Sequence, residues 1–191
     1  AMLDDKHIRA ILFGRGGYGT GRIIDKLNFK KFLQHPKWLI GFSDITVLHA
    51  HLFNNYGIAT LHAPMEAACN DGGTGSEYVQ SLQRALEGKK AKYSVAVHAN
   101  NKKGKAAGRL VGGNLALLAN ITGTKSDFNP KKCILFLEDI GEYLYSIDRM
   151  LQQLKRSGKL KGLAGIIFGG FTDMKDTERP FGKSIDEILK E

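Results

Sequence analysis

The chain has 191 residues, of which 42% are hydrophobic and 25% charged, and its formal net charge is +9 at pH 7. This is the composition of an ordinary soluble globular protein, long enough for one large domain or two small ones. No apolar run approaches the roughly 20 residues that a bilayer-spanning helix needs, and no basic start followed by an apolar stretch resembles a signal peptide. We therefore expect no membrane partner and a cytoplasmic location.

The positive charge is concentrated in one segment, from Gly88 to Arg109, which contains seven lysine and arginine residues and no acid. A nucleic-acid partner would need rings on which bases stack, and Tyr93 is the only aromatic residue of this segment. No nucleic-acid-binding motif accompanies it. The segment is therefore predicted to be a solvated basic connector, and no nucleic-acid partner is expected.

The first half of the chain alternates short apolar runs with helical patterns, which favours a parallel sheet. The predicted elements, in chain order, are a strand at 10–13, a short helix around 23–27, a strand at 38–41, a helix at 44–54, a strand at 58–61 and a helix at 76–87. Together they predict an N-terminal α/β domain with a parallel, Rossmann-like sheet, which we place at residues 1–88.

The basic segment interrupts this alternation. It contains one alternating stretch, 93–98, that predicts a strand, and residues 89–107 are predicted to link two domains. Beyond the linker, the predicted elements are a strand at 133–137, a helix at 146–157 and a strand at 163–168. They predict a smaller α/β C-terminal domain at residues 108–191.

The strongest local signal for chemistry is the stretch Ile40-Gly41-Phe42-Ser43-Asp44. A serine between a strand and a helix, two residues after a glycine, has the layout of a nucleophile elbow, a tight turn that raises the hydroxyl above the sheet. The backbone N–H of Asp44 would then point toward an oxyanion formed on Ser43. Ile45 stands where the usual second glycine is found, so the alternative that Ser43 only N-caps the helix stays open.

Residues 14–19, Gly-Arg-Gly-Gly-Tyr-Gly, follow a predicted strand and open a helix. They satisfy the dinucleotide-binding fingerprint, but that site also needs an acid about 20 residues later, and residues 26–43 contain none. The same geometry can present unpaired N–H groups to a carboxylate or an oxyanion. We therefore interpret this glycine loop, residues 14–19, as an anion cradle.

The acids Glu138, Asp139 and Glu142 lie where the strand predicted at 133–137 ends. Loops at the carboxyl ends of strands carry the sites of α/β proteins, although acids there can also cap the following helix. His62 lies at the end of a predicted strand and is a candidate to line a pocket.

Cys69 and Cys133 lie far apart in dissimilar contexts, so neither a disulfide nor a metal site follows from them. Both are expected to be small, partly buried side chains.

Taken together, these segments resemble the LD-carboxypeptidases, the muramoyltetrapeptide carboxypeptidase family, which includes the microcin C immunity peptidases. The matching segments are Arg15-Gly-Gly-Tyr-Gly19, Pro36-Lys37, Gly41-Phe-Ser-Asp44 with Thr46, His62-Ala-Pro-Met65, Gly112-Gly-Asn-Leu115, Gly123-Thr124, Leu135-Phe-Leu-Glu-Asp139, Ile147-Asp-Arg-Met-Leu151 and Gly165 to Thr172. Each motif alone is weak, but the ordered set spreads over nearly the whole chain and is specific.

The resemblance implies a Ser-Glu-His peptidase that cleaves the bond between an L-centre and a terminal D-amino acid. In the family pattern the nucleophile maps to Ser43, and the glutamate that orients the histidine maps to Glu138. The oxyanion would be held by N–H groups of Asp44 and of Gly16 or Gly17. Substrate contacts are expected from four further residues, Arg15, Tyr18, His62 and Asn114.

The implied substrate is a muropeptide or small peptide that loses a terminal D-alanine, and neither a cofactor nor a metal is implied. Two alternatives stay open. One is the immunity activity of the same family, cleavage of an aspartyl-nucleotide amide. The other is a module that binds a peptide carboxylate or phosphate without turnover. A homodimer is also left open.

Two parts of the family pattern are not found in the 191 residues: an opening strand before residue 1, and the catalytic histidine, which should follow Glu191. In addition, Ala63 stands where the family usually has glycine. The chain is therefore expected to be a piece of a longer protein and to be inactive by itself.

Overall fold

Residues 2–66 and 73–191 are described in the computed structural model, so the environment predicted for Cys69 lies outside the described residues. The chain divides into an N-terminal unit, Ala1–Ala96, and a C-terminal unit, Val97–Glu191. Each is built on a three-stranded parallel sheet flanked by helices, which confirms the predicted α/β class. Among the described residues, no helix combines the length and the apolar character needed to cross a membrane.

The N-terminal unit has strand order β1-β2-β3. Its elements among the described residues are β1 (Ala10–Leu12), α1 (Thr20–Ile23) with a 3-10 turn (Ile24–Lys26), α2 (Lys30–Gln34), β2 (Trp38–Gly41), another 3-10 turn (Ser43–Ile45), α3 (Thr46–Tyr56), β3 (Leu61–His62), a further 3-10 turn (Gly73–Gly75) and α4 (Glu77–Leu86). Sequence periodicity thus located β1, β2, α3 and α4 to within a few residues.

Strand β2 and helix α3 form the centre of this unit. Leu39 and Ile40 of β2 are buried, and so are Val47, Leu48 and Leu52 of α3. The short turn that joins β2 to α3 is therefore fixed at both ends, because neither element can shift without exposing apolar surface. This turn contains Ser43.

The strand predicted at 58–61 is wrong for most of its length, because only Leu61 and His62 pair with β2. Helix α3 ends at a left-handed Gly57, and the N–H of Ile58 still bonds to the carbonyl of Leu52 in the last turn of the helix. An amide engaged at a helix end cannot also join a strand ladder.

The strand predicted at 93–98 is also wrong, since residues 89–108 form neither strand nor helix. Val95 and Val97 are 83% and 91% exposed, so the alternating pattern has no apolar surface to cover. Strand formation depends on a partner that pairs with one edge and packs on one face, and the pattern alone does not supply one.

The C-terminal unit has strand order β4-β5-β6. Its elements are β4 (Arg109–Asn114), α5 (Leu115–Ile121), β5 (Cys133–Ile140), α6 (Leu144–Arg156), β6 (Gly165–Thr172) and α7 (Ile185–Lys190). The strand predicted at 133–137 extends three residues further, so Glu138 and Asp139 lie inside β5 rather than after it. Strand β4 was not predicted, because its two glycines hide the pattern.

Candidate active site

Ser43 occupies a strained turn directly after β2. Its φ angle is +59°, in the left-handed region that residues with a side chain seldom adopt. Holding a serine there costs about 1–2 kcal/mol, which the buried elements on either side must offset. The serine is also not a helix cap, because the N-cap positions of the 3-10 turn and of α3 are Phe42 and Ile45, and neither end has a side-chain cap in this fully described stretch. The turn has the strain expected of a nucleophile elbow.

Gly41 allows β2 and α3 to pack closely on the two sides of this turn. A Cβ at Gly41 would lie 3.0 Å from Cγ1 of Ile45 and 3.4 Å from the ring of Phe13. Ile45 is the residue that replaces the second glycine of the usual elbow, and its side chain fills the space that Gly41 leaves open. A larger residue at position 41 would push the start of the helix away from the strand.

The glycine loop lies directly against the elbow. A Cβ at Gly16 would lie 3.0 Å from both Cβ and Oγ of Ser43 and 3.7 Å from the backbone nitrogen of Asp44. The loop backbone at Gly16 is therefore so near Ser43 that a side chain there would not fit unless Ser43 or the loop shifted. In the same loop Gly17 has a φ angle of +144°, which only glycine adopts readily. This brings the predicted nucleophile Ser43 together with two of the residues predicted to hold the oxyanion, Gly16 and Asp44.

Alanine at position 16 is expected to reduce turnover roughly tenfold in the complete protein. The added methyl group would force Ser43 or the loop to move by a few tenths of an ångström, and a 1 Å misplacement costs on the order of 10²-fold in rate. Gly14→Ala is the matched control, since a Cβ there has no heavy atom within 4 Å among the described residues. Equal kcat values for the two variants would show that the contact with Ser43 is unimportant.

The side chains of Arg15 and Tyr18 project from the glycine loop. Arg15 is exposed, and Tyr18 is 89% exposed. Both are accessible to a ligand, and their contact with substrate stays a prediction.

Two histidines flank the end of β2, and sequence reasoning singled out only His62. Nε2 of the buried His49 donates to the carbonyl of Gly41 at 2.9 Å, and burial lowers the pKa of His49. The ring of His62 lies 6.4 Å from that of His49, and the pKa of His62 is lowered to about 4, first by partial burial and then by charge on His49. Both imidazoles are therefore neutral at neutral pH.

His62 lines a cavity, as was expected from its position at the end of a predicted strand. The cavity measures about 330 Å³ and lies between the end of β3 and helix α4. Its walls include Pro64, Tyr78, Ser81 and Tyr93. Contact of His62 with a substrate stays a prediction.

In the C-terminal unit, Asp139 is a structural acid. It is 3% exposed and accepts hydrogen bonds from Nδ2 of Asn114 at 2.9 Å, from the N–H of Ala116 at 3.0 Å and from the N–H of Ile140 at 2.9 Å. Asn114 in turn caps α5, because its Oδ1 accepts from the N–H of Leu117 at 3.1 Å. Asp139 and Asn114 therefore fix the start of α5 on the sheet, and substrate contact by Asn114 stays a prediction.

Glu138 has a different environment, although it is the next residue along β5. It pairs in register with Asn114, and its Oε1 is buried without a hydrogen-bond partner among the described residues. Burial raises the pKa of Glu138 to about 7, the negative charge of Asp139 adds to this, and a hydrogen bond from Asn114 opposes it. Unlike Asp139, Glu138 thus has capacity left to accept a proton or an N–H group.

Glu138 is expected to make the C-terminal unit less stable as the pH rises. Its folded pKa lies above the ordinary value of 4.5, so its stabilising contribution is complete below about pH 4.5 and is lost as the pH rises through about 7. Glu138→Gln removes this loss, and the variant should gain on the order of 1–2 kcal/mol over the parent between these limits, because solvent that reaches part of Glu138 screens the full effect of the pKa shift. Urea unfolding followed by circular dichroism at both pH values measures the difference. Parallel pH dependences in the two proteins would contradict the expectation.

Within the described residues, no group of three or more His, Cys, Asp or Glu side chains is arranged to hold a metal ion. The N-terminal unit offers a strained serine beside backbone N–H groups, and the C-terminal unit offers a buried carboxylate with a raised pKa. Both kinds of group occur in acyl-transfer enzymes.

Comparison with known proteins identifies the family of both units. Residues 1–63 match the LD-carboxypeptidase N-terminal domain, and residues 107–191 match the LD-carboxypeptidase C-terminal domain. The chain is 36% identical over 197 residues to a probable murein peptide carboxypeptidase of Bacillus subtilis, covering 100% of the chain and 60% of that protein. It is 34% identical over 198 residues to the murein tetrapeptide carboxypeptidase of Pseudomonas aeruginosa, covering 98% of the chain and 63% of that protein. The chain thus spans less than two thirds of the length of these curated relatives.

Solved structures of related proteins have the same fold as this chain. The muramoyltetrapeptide carboxypeptidase of Oxalobacter formigenes superposes with a TM-score of 0.76 at 30% identity, over 98% of this chain and 64% of that one. The microcin C7 self-immunity protein MccF, in complex with aspartyl sulfamoyl adenosine, has a TM-score of 0.83 at 21% identity, over the same shares of the two chains. The second likeness shows the fold alone. With both domains matched in order, the chain belongs to the LD-carboxypeptidase family.

Proposed function

We propose that the complete protein is a serine-type LD-carboxypeptidase that releases the terminal D-alanine from cell-wall tetrapeptides. The observation that carries the proposal is the placement of Ser43, strained at φ +59° with the glycine loop in contact with its hydroxyl. A serine N-cap or a simple anion-binding loop needs neither the strain nor this contact.

In the proposed mechanism the Oγ of Ser43 attacks the carbonyl carbon of the LD-peptide bond. The oxyanion that forms is held by N–H groups of Asp44 and of Gly16 or Gly17. A histidine outside these 191 residues takes the serine proton and passes it to the leaving amine, and Glu138 orients that histidine and stabilises its charged form. Water then hydrolyses the ester on Ser43, which releases the shortened peptide and restores the hydroxyl.

The substrate class is supported by the relatives at 34–36% identity, whose names refer to murein peptides. The alternative, cleavage of an aspartyl-nucleotide amide, is favoured only by neighbours at about 21% identity. A murein peptide is therefore the better-supported substrate. We further propose that the protein works in the cytoplasm in peptidoglycan recycling, as a monomer or a homodimer.

The test uses a tetrapeptide with diaminopimelate or L-lysine before its terminal D-alanine. The complete protein should release D-alanine, whereas the same peptide ending in L-alanine should remain intact. The 191-residue chain alone should show no measurable hydrolysis, because it lacks the proposed general base.

Two outcomes would contradict the proposal. Cleavage of an aspartyl-nucleotide amide with no action on the tetrapeptide would favour the immunity activity. Binding of the tetrapeptide without turnover by the complete protein would favour a non-catalytic module.

A further inference from the structure

The elbow and the glycine loop are joined by a side-chain contact that the proposed mechanism does not use. Asp44 is 7% exposed, and its Oδ2 accepts two hydrogen bonds from Thr20, one from the N–H at 3.0 Å and one from the hydroxyl at 2.7 Å. Thr20 is the first residue of α1 and directly follows the glycine loop. The two residues are 24 positions apart, so the contact joins segments that are not neighbours in sequence.

Among the described residues, few other hydrogen bonds hold the glycine loop in place. Its larger side chains, Arg15 and Tyr18, are exposed, and so contribute little packing. Its glycines lose more conformational entropy on ordering than other residues do, and Gly17 and Gly19 adopt φ angles of +144° and +140°. The position of such a loop depends on how its ends are anchored.

Each end of the loop is anchored to a part of the elbow. At the first end, the N–H of Phe13 donates to the carbonyl of Ile40 in β2 at 3.0 Å. At the second end, Thr20 donates twice to Asp44. The strand and the serine turn therefore hold the loop from both sides, and Gly16 lies between the two anchors in contact with Ser43.

We propose that the carboxylate of Asp44 is a positioning residue, which through Thr20 holds the glycine loop against Ser43 and so assembles the oxyanion hole. This inference deepens the proposed function and rests on it. Asp44 then has two separate roles. Its backbone N–H is one donor to the oxyanion, and its side chain sets the distance to the donor on the loop. We call the two hydrogen bonds between Thr20 and Asp44 the clamp. Because substrate can bind before the oxyanion hole is assembled, the clamp should stabilise the transition state more than the bound substrate.

Four variants of the complete protein test the clamp on an LD-tetrapeptide. Asp44→Ala removes the acceptor of both bonds and should lower kcat about 10²-fold with KM changed less than about threefold, since one oxyanion donor is worth on the order of 10²–10³-fold. Thr20→Val removes the hydroxyl alone and should lower kcat about tenfold. Thr20→Ser keeps the hydroxyl and should therefore keep nearly normal turnover. The double variant that combines Asp44→Ala with Thr20→Val should be no slower than Asp44→Ala alone, because the two changes break the same contact between Thr20 and Asp44.

Asp25→Ala is the matched control, an exposed acid in the turn that follows α1, and it should keep normal turnover. Amide hydrogen exchange separates a positioning role from a structural one. In Asp44→Ala the amides of the glycine loop should exchange faster, while those of α3 keep their protection. If Asp44 instead only stabilised the start of α3 with its charge, the α3 amides would exchange faster and the loop would not change, which would overturn the inference.

A fluorophosphonate probe distinguishes failure of the clamp from failure of the proposed substrate. The serine oxygen attacks the phosphorus while the general base takes the hydroxyl proton, fluoride leaves, and the phosphonyl oxygen occupies the oxyanion hole. If the parent protein is labelled at Ser43 but does not cleave the tetrapeptide, the proposed substrate is wrong, and the clamp is still expected to slow labelling about 10²-fold in Asp44→Ala. Unchanged labelling in Asp44→Ala would overturn the clamp. A parent protein unreactive toward both compounds would overturn both proposals.

Discussion

Ser43→Ala is expected to lower kcat of the complete protein roughly 10⁴-fold or more, because the variant has no atom that can attack the peptide carbonyl. The fold should be unchanged, since the 3-10 turn and α3 carry no cap from this side chain in the described stretch. Release of D-alanine from the LD-tetrapeptide measures the loss, and urea unfolding measures stability.

Ser184→Ala provides the control for a serine that does cap a helix. The Ser184 hydroxyl accepts from the N–H of Glu187 and belongs to a capping box at the start of α7. Its loss should cost about 1 kcal/mol of unfolding free energy and leave kcat nearly normal. If Ser43→Ala behaved like Ser184→Ala, with a stability loss and normal turnover, Ser43 would be removed from the mechanism.

Glu138→Gln is expected to lower kcat roughly 10³-fold or more with little change in KM. An amide in place of the carboxylate cannot stabilise the charged form of the histidine and favours the wrong tautomer. The same variant should be more stable than the parent at neutral pH, because burial and Asp139 no longer act on an ionised group. A protein that gains stability while losing turnover would place Glu138 in the site and not in the scaffold.

Asp139→Asn is the matched variant on the neighbouring residue. Asp139 accepts three hydrogen bonds, two of them from Asn114 and Ala116 at the start of α5, so the change should cost about 1–3 kcal/mol of stability and reduce kcat less than Glu138→Gln does. If Asp139→Asn proved more damaging to kcat, the assignment of roles within the acid cluster would be reversed.

The roles of Glu138 and Asp139 cannot be told apart from local sequence patterns. Adjacent residues of a strand point to opposite faces, so one acid of the pair must meet α5 and the other must not. The sequence contains both acids and cannot say which face is which. The family resemblance selected Glu138, and the hydrogen bonds of Asp139 provide an independent physical reason for the same choice.

The errors at 58–61 and 93–98 have a related cause. Residues 58–61 are a short apolar run and residues 93–98 alternate, as strands do, but both lack what a strand needs from the rest of the fold. Ile58 is still bonded to the last turn of α3, and Val95 has no surface to cover. Conversely, β4 was missed because its glycines carry no apolar signal. A Cβ at Gly112 would lie 1.8 Å from the carbonyl oxygen of Phe136, so only a glycine fits there.

The sequence by itself determined the α/β class, the main strands and amphipathic helices, the position of the elbow and the family. These features depend on local periodicity and on ordered motifs, which are properties of the chain alone. Only the tertiary structure decided that Gly16 lies against Ser43, that Asp44 holds Thr20 and that the hydrogen-bonding capacity of Asp139 is used at the start of α5. Each of these is a contact between residues more than 20 positions apart, and such contacts are set by strand order and close packing, which no local pattern records.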